Sequence, residues 1–213
     1  MPITHASVGT ELTQAEFEAT SLHQISLPGG LHHGMIKGAT YNRRYTAMII
    51  SSALGTAGVG AVANALRVLP FIPPLSITAD RICCNCTTLY AGGKIRLGIY
   101  ADNGSLYPGT LLIDSGDITC DAAGFKDITI SLAMTGGTLY WIGYVVNGIT
   151  TLAFSKIAVS TTPAVTGVSA ANPPVVGMGW TVAHTYAALP NPYTVGGTIL
   201  VNIAEILVAI RAA

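Results

Sequence analysis

Hydrophobic and polar residues alternate in short runs along most of the chain, from about residue 64 to the C-terminus. The run 128–132, Ile-Thr-Ile-Ser-Leu, shows the pattern plainly. Because successive side chains of a strand point to opposite faces, a period of two predicts half-buried β-strands. Turn signals such as Asn103-Gly104 and Gly136-Gly137 separate the runs. The predicted strands span residues 66–72, 76–88, 94–101, 109–118, 126–132, 137–146, 151–159, 175–180, 198–201 and 203–211.

Short strands at this spacing, with no long helix required after residue 64, predict a mostly β fold. The architecture expected for residues 64–213 is an antiparallel β-sandwich of jelly-roll-like type. With 213 residues, the chain is long enough for one such domain and an additional arm.

The first 45 residues are more polar than the rest and contain four of the five histidines. Thr13 and Glu16 have the spacing of a capping box, which predicts a short helix over residues 14–23. The sequence Ser-Leu-Pro-Gly-Gly at 26–30 ends that helix. A single helix of this length is marginal in water without a core. We therefore predict that residues 1–45 form an N-terminal anchoring arm that becomes ordered on a partner.

The contacts of this arm are predicted from its few large or charged side chains. Phe17 and Leu22 are expected as apolar anchors, with Arg43 and Arg44 as polar clamps against an acidic protein surface. Residues 46–63 connect the arm to the β domain and are rich in Ala and Gly. The sequence leaves both helix and loop open for this connector, whose glycines suit close packing against another chain.

The chain is poor in charge. Charged residues make up 9% of it and the net charge is zero, whereas soluble domains average about 25% charged residues. Such a surface attracts neither nucleic acid phosphates nor acidic membranes, so neither is an expected partner. Because little charge repulsion keeps copies of the chain apart, we expect a homo-oligomer.

Targeting and membrane signals are weak. The N-terminal sequence Met-Pro-Ile-Thr-His has neither a basic region nor an apolar run, so no signal peptide is expected. The stretch 45–66 is uncharged and long enough to cross a bilayer, but it contains Ser, Thr, Asn and several glycines. We expect this stretch to pack against protein, with no membrane span.

The cysteines form a cluster that resembles a metal site only in composition. Cys83, Cys84 and Cys86 are too close in sequence to be paired zinc ligands. A strand would also turn Cys83 away from the other two. These cysteines and Cys120 are therefore predicted to be reduced, buried and without metal.

Other candidate chemistry is incomplete as well. Asp114 and Asp117 flank a Ser-Gly turn but lack the spacing of a calcium loop. His32 and His33 are adjacent on the arm, where solvated or interface histidines are more common than metal ligands. The glycine run at 55–60 lacks the Gly-Lys-Ser/Thr ending of a phosphate loop. The chain is accordingly predicted not to be an enzyme and to need no cofactor.

Several stretches resemble a known family. They are NALRVLPFIP at 64–73 with ITADRI at 77–82, IRLGIYADNG at 95–104 with YPGTL at 107–111, and LYWIG at 139–143. In this order they resemble a β-sandwich domain common in virion proteins of tailed bacteriophages, especially fibre and appendage proteins. The resemblance covers about residues 64–150. The arm around residues 9–23 resembles the attachment arms of such proteins, and the cysteine cluster is not part of the family pattern.

Strand periodicity assigns faces within these stretches. Ile95, Leu97 and Ile99 share one face of their strand, which we expect in the core. Tyr140 and Trp141 point to opposite faces of theirs, so only one of them is expected to be buried.

The resemblance implies a virion structural protein, a fibre, appendage or surface-decoration subunit made in the host cytoplasm. It implies a homo-oligomer, with a trimer favoured by the symmetry of fibre-like parts, joined to other virion proteins through the arm. Two alternatives remain: a carbohydrate-binding module of a host-surface adhesin, and a capsid cement protein. Aromatic side chains that stack on sugars or contact the host surface, or that simply pack, are Tyr107, Tyr140, Trp180, Tyr186 and Tyr193.

Overall fold

The structure is a computed structural model, and it describes several separate stretches of the chain. They are residues 3–5, 10–12, 45–47, 54–60, 62–73, 75–147, 151–157, 177–201 and 203–213. These stretches form strands and turns and contain no helix, so the mostly β fold class is confirmed. Among them, no helix is long and apolar enough to cross a membrane.

The chain divides into two compact units, Met1–His32 and His33–Ala213. In the first unit, β1 (Ile3–His5) and β2 (Thr10–Leu12) pair antiparallel. The second unit contains the other described strands. They are β3 (Tyr45–Ala47), β4 (Leu54–Gly60), β5 (Ala65–Phe71), β6 (Ile77–Thr88), β7 (Lys94–Asp102), β8 (Pro108–Asp114), β9 (Ile118–Thr119), β10 (Gly124–Met134), β11 (Tyr140–Val146), β12 (Ala153–Ile157), β13 (Gly177–Ala183), β14 (Thr198–Val201), β15 (Glu205–Ile206) and β16 (Val208–Ala212).

These strands form two antiparallel sheets. Sheet I has the order β15-β12-β6-β16-β3, with β10 also paired to β6 and β4 also paired to β12. Sheet II has the order β14-β13-β5-β11-β7-β8, with β9 also paired to β7. Three of the five resembling stretches, 95–104, 107–111 and 139–143, thus fall largely on three neighbouring strands of sheet II, namely β7, β8 and β11.

The two sheets share one hydrophobic core. Sheet II contributes Ile95, Leu97 and Ile99 from β7, and sheet I contributes Ile82 and Cys84 from β6. The prediction that the aliphatic face of residues 95–99 lies in the core is therefore confirmed. We call the side of each sheet that faces this core its inner face and the opposite side its outer face.

The outer face of sheet II is covered by residues 184–197. Leu189 and Tyr193 from this covering segment pack with Tyr100 and Trp141 in a second cluster of buried side chains. Tyr140 on the inner face is 7% exposed and Trp141 on the outer face is 0% exposed. The prediction that only one of this pair is buried was wrong, because the covering segment gives the sheet a second buried face.

A glycine of β7, Gly98, allows this close cover. Gly98 and Gly143 are directly opposite each other on β7 and β11. A Cβ on Gly98 would overlap Cδ1 of Leu189 and would lie 3.0 Å from the carbonyl oxygen of Ile113. The missing side chain therefore leaves the space into which Leu189 packs.

The outer face of sheet I is polar. Arg211 makes a bidentate ion pair with Asp80, with Nε–Oδ1 and Nη2–Oδ2 distances of 2.9 Å each. Arg81 lies 3.3 Å from Asp127 of β10. Along β10, exposed positions alternate with half-buried ones, as expected for a sheet with one solvated face.

Some predicted elements differ from the structure. The predicted strand 109–118 is two strands, β8 and β9, because Gly116, at a φ of 71°, turns the chain between them. Residues 46–47 and 54–60 of the connector are strand, where helix and loop had been left open. The predicted helix at 14–23 and the arm residues Phe17, Leu22, Arg43 and Arg44 lie outside the described residues. The boundaries of the arm, connector and β domain stay predictions.

Candidate binding surface

The loop between β7 and β8 forms one part of the candidate surface. Asp102 Oδ2 accepts a hydrogen bond from the Gly104 amide at 2.8 Å, and Asn103 Oδ1 accepts one from Ser105 at 2.8 Å. Leu106 has a φ of 56°, a left-handed conformation that costs a non-glycine residue about 1–2 kcal/mol. Contacts of the surrounding loop must therefore hold the backbone of Leu106 in this conformation. Its side chain is exposed to solvent.

Three aromatic rings join this loop to the covering segment and to β13. The ring centre of Tyr107 lies 4.8 Å from that of Trp180 and 5.6 Å from that of Tyr193, both edge to face. Tyr193 continues the group inward, with its ring centre 5.4 Å from Tyr100. Edge-to-face packing of this kind is a favoured arrangement of aromatic side chains.

Hydrogen bonds to the backbone fix the rings. The Tyr107 hydroxyl donates to the Thr194 carbonyl at 2.6 Å and accepts from the Gly197 amide at 2.9 Å. Trp180 Nε1 donates to the Leu106 carbonyl at 2.8 Å. The polar atoms of both rings therefore act as anchors for the two loops, and the remaining exposed parts of the rings are apolar.

Aliphatic side chains extend the rings into a larger exposed patch. Leu106 is 47% exposed, Val195 83% and Ile199 43%. Ile199 is the cross-strand partner of Trp180. We call Leu106, Tyr107, Trp180, Val195 and Ile199 together the aromatic surface. Residues 103–107 and 194–199, which carry most of it, include no charged residue.

The predicted surface aromatics separate into three groups. Tyr107 and Trp180 lie together and are partly exposed. Tyr193 lies beneath them at 2% exposure, with its hydroxyl donating to the Leu66 carbonyl at 3.1 Å, so its ring is a packing element. Tyr186 is half-buried and donates its hydroxyl to Asp117 Oδ1 at 3.1 Å.

Sequence reasoning missed Leu106, Val195 and Ile199. Leu106 and Val195 lie in glycine-containing turns, where an exposed aliphatic side chain breaks the expected polar pattern. That break was the available signal for these two residues. Ile199 stands in a hydrophobic strand, where the sequence pattern is the same for a core residue as for an exposed one. Its exposure depends on whether another segment covers β14.

A polar network occupies the edge of the outer face of sheet II. Arg96 Nη1 lies 2.9 Å from Asp114 Oδ2, and its Nη2 lies 2.6 Å from Asp117 Oδ1. Lys94 Nζ lies 3.0 Å from Asp117 Oδ2. Hydrogen bonds from Arg96, and then from Lys94, lower the pKa of Asp117 to about 2. Protein cations thus neutralise the carboxylates that had been weighed as calcium ligands, and no group of three or more metal-ligating side chains occurs among the described residues.

A second ionic group lies between the sheets. Glu205 of sheet I is fully buried, and its Oε1 lies 2.8 Å from Nη1 of Arg67 in sheet II. The hydroxyl of Tyr144, also in sheet II, donates to Glu205 Oε2. Burial raises the pKa of Glu205, while Arg67 and Tyr144 act in the opposite direction. This group is enclosed by protein, so its evident role is to join the sheets.

Comparisons with known proteins add little. No family model and no curated protein matches the sequence. Among solved structures, the chain is similar to the X-ray crystal structure of chitosan-binding module 1 derived from a chitosanase/glucanase of Paenibacillus sp. IK-5. The match has 19% identity and a TM-score of 0.27, and it covers 59% of this chain and 82% of that chain. A likeness at this TM-score supports no argument about function.

Proposed function

We propose that this chain is a non-enzymatic structural subunit of a tailed-bacteriophage particle, and that its aromatic surface contacts carbohydrate on the host cell. The observation that carries the carbohydrate contact is the group of partly exposed rings, Tyr107 and Trp180, fixed by hydrogen bonds and surrounded by uncharged residues. A sugar ring has an apolar face that packs on such a surface, and fixed rings lose little entropy when they bind it.

The phage setting rests on the sequence resemblance. Its residues at 95–104 and 107–111 form β7, β8 and the loop between them, and that loop supplies Leu106 and Tyr107 to the aromatic surface. A segment that resembles fibre and appendage proteins therefore contributes two of the five residues of the candidate contact.

The finer organisation belongs to the same proposal. Residues 64–213 would form a jelly-roll-like β-sandwich that projects from the particle, and residues 1–45 would anchor it to other virion proteins. The subunit would be a homo-oligomer, with a trimer favoured, since low charge gives copies little repulsion. A monodisperse monomer in light scattering at micromolar concentration would contradict this part.

Binding of the full chain to a panel of uncharged, anionic and cationic polysaccharides tests the carbohydrate contact. Val195→Asp and Ile199→Asp should each weaken binding at least about 10-fold, because a charge on the surface must be desolvated when a sugar covers it. Leu89 is exposed to a similar degree as Ile199. It lies in the loop that leads into β7, whereas the loop with Leu106 and Tyr107 leaves the opposite end of that strand. Leu89→Asp is therefore the matched control and should bind normally. Equal loss in all three variants, or no binding to any glycan, would refute the contact.

The particle setting has its own test. Deleting residues 1–45 should leave a folded, β-rich protein that no longer joins the particle, because the predicted arm cannot form a core of its own. Electron microscopy of particles labelled on this chain measures incorporation directly. Normal incorporation of the truncated chain would contradict the anchoring role.

A further inference from the structure

A cavity of about 510 Å³ opens between the edges of the two sheets. Leu112 of β8 in sheet II and Leu132 of β10 in sheet I both line it, together with Tyr140 of β11. β8 is the last strand in the order of sheet II, and β10 pairs only with β6 among the described strands. We call this space the rim cavity. Its volume lies within the range of about 300–1,000 Å³ that is usual for small-molecule sites.

Hydrogen bonds hold the segments around the rim cavity in place. In the turn between β10 and β11, the Gly136 amide donates to Ser76 Oγ at 3.0 Å and the Gly137 amide donates to the Pro73 carbonyl at 2.8 Å. The loop between β7 and β8, which also lines the cavity, is fixed by the hydrogen bond of Asp102 described above. Because these segments are already ordered, little loss of freedom in the protein opposes the binding of a ligand.

Two polar groups that line the rim cavity have unused hydrogen-bonding capacity. Asp102 Oδ1 accepts from Trp141 Nε1 at 2.8 Å and Oδ2 accepts from the Gly104 amide, while a carboxylate offers about four lone-pair sites. The Tyr140 hydroxyl accepts from the Thr135 amide at 2.9 Å, and within the described part of the chain no group accepts its own proton. The cavity therefore offers both acceptors and a donor beside aliphatic walls.

This combination selects one class of ligand. Asp102 is the only charged residue that lines the cavity, so an anionic ligand would meet repulsion without a compensating cation. A purely apolar ligand would cover the carboxylate and the Tyr140 hydroxyl without giving them partners, which is unfavourable. An uncharged sugar ring satisfies both conditions, because its hydroxyl groups donate and accept hydrogen bonds and its C–H face is apolar.

We propose that the rim cavity binds one uncharged sugar ring, held by hydrogen bonds to Asp102 and Tyr140 and by packing on Leu112 and Leu132. The inference rests on the proposed function and extends it, since it gives the same glycan a second contact. Gly104 of the cavity and Leu106 of the aromatic surface are two residues apart in one loop, so at most about 7 Å separates their Cα atoms. A chain of linked sugars is long enough to reach both.

The experiment is a titration of the full chain with free monosaccharides, followed by methyl NMR. Glucose, galactose and N-acetylglucosamine are the uncharged probes, and glucosamine and glucuronic acid are the charged ones. At least one uncharged sugar should shift the methyl signals of Leu112 and Leu132 and reach saturation, with a Kd in the millimolar range expected for a small ligand. No saturable shift with any uncharged sugar, or shifts with the charged sugars alone, would overturn the proposal.

Variants at the cavity sharpen the test. Ala133→Phe places a ring at an exposed position that lines the cavity and should abolish the shifts. Thr129→Phe, at an exposed position of the same strand that does not line the cavity, is the matched control and should leave them unchanged. Tyr140→Phe keeps the ring but removes the donor, so it should weaken binding about 10-fold. Unchanged affinity in both Ala133→Phe and Tyr140→Phe would contradict the assignment.

Binding of polysaccharide separates this inference from the proposed function. Ala133→Phe and Ile199→Asp should each weaken it, whereas only Ala133→Phe should affect the free monosaccharide. If polysaccharide binding survives Ala133→Phe but is lost in Ile199→Asp, the rim cavity is not a sugar site and the proposed carbohydrate contact stands. If a monosaccharide binds the cavity but no polysaccharide binds the chain, the proposed contact fails and the sugar site stands.

Discussion

The outer faces of the two sheets have opposite chemistry. On sheet II, Tyr100 and Trp141 are fully buried beneath the covering segment 184–197. On sheet I, the outer face holds ion pairs such as Arg211–Asp80 and Arg81–Asp127. The burial of single strands shows the same contrast. Every residue of β11 in sheet II is buried, whereas exposed and half-buried residues alternate along β10 in sheet I.

This difference shows that a sheet is buried on one face or on both, depending on whether another segment of the chain covers its outer face. A continuous apolar strand indicates burial on both faces, and a strictly alternating strand indicates one solvated face. Substitutions on the outer face of sheet II should therefore cost far more stability than substitutions on the outer face of sheet I.

The largest effect should come from Trp141→Ala. Trp141 is fully buried, and removal of such a side chain costs about 3–5 kcal/mol in unfolding free energy. Urea unfolding measures the loss. The control is Thr129→Ala on the exposed outer face of sheet I, which should change stability by no more than about 0.5 kcal/mol. A Trp141→Ala loss as small as that of the control would show that sheet II has no second core.

Leu189→Ala should cost less, about 2 kcal/mol, at the lower end of the range for buried leucines. Leu189 belongs to the covering segment and fills the space over Gly98. We expect faster proteolysis within residues 184–197, measured by limited digestion, because the segment loses its main apolar contact. Thr185→Ala, at an exposed position in the same segment, is the control. Unchanged proteolysis of Leu189→Ala would argue that other contacts hold the cover.

On sheet I, Arg211→Ala should cost about 1–2 kcal/mol, the range for hydrogen bonds to charged groups. Its pair with Asp80 is bidentate and partly buried. Arg211→Lys keeps the charge but not the two parallel hydrogen bonds, so its loss should be intermediate. Urea unfolding of the three proteins gives the order, and a loss matching that of Trp141→Ala would erase the contrast between the faces.

The smallest effect should be a pH dependence from Asp117. Arg96 and Lys94 hold its pKa near 2 in the folded protein, below the ordinary value of 3.8. A depressed folded pKa gives stability that is present above about pH 3.8 and lost as the pH falls through about 2. Because this carboxylate is well exposed, solvent screening keeps the contribution below about 1 kcal/mol. Thermal melting between pH 5 and about 2 should show the decrease, and Asp117→Asn should lack that part of it.

The sequence was sufficient for the fold class and for the inner core, because both follow from local alternation. Ile95, Leu97 and Ile99 were placed correctly by their period of two. The burial of Tyr140 and Trp141 together was missed, since it depends on a segment more than 40 residues later in the chain. Continuous hydrophobicity at 139–146, interrupted only by a glycine, was the signal that was available for it.

For the candidate surface, the sequence identified only the aromatic residues. Tyr107 and Trp180 were predicted as surface contacts and lie side by side. Sequence alone did not show that Tyr193 lies beneath them, or that Leu106, Val195 and Ile199 extend them. These placements depend on long-range loop contacts such as that of Tyr107 with Gly197.

The buried ionic group of Arg67, Tyr144 and Glu205 has a mechanical consequence. It crosses the space between two sheets that share an apolar core, and apolar contacts have no preferred direction. A force that slides one sheet along the other must pull a carboxylate away from both donors before water can replace them. Separating such a desolvated charge from one partner costs about 3–5 kcal/mol, and that cost rises over a short displacement. This group therefore adds a point of high resistance to shear, and once it is broken the two layers would slide more easily.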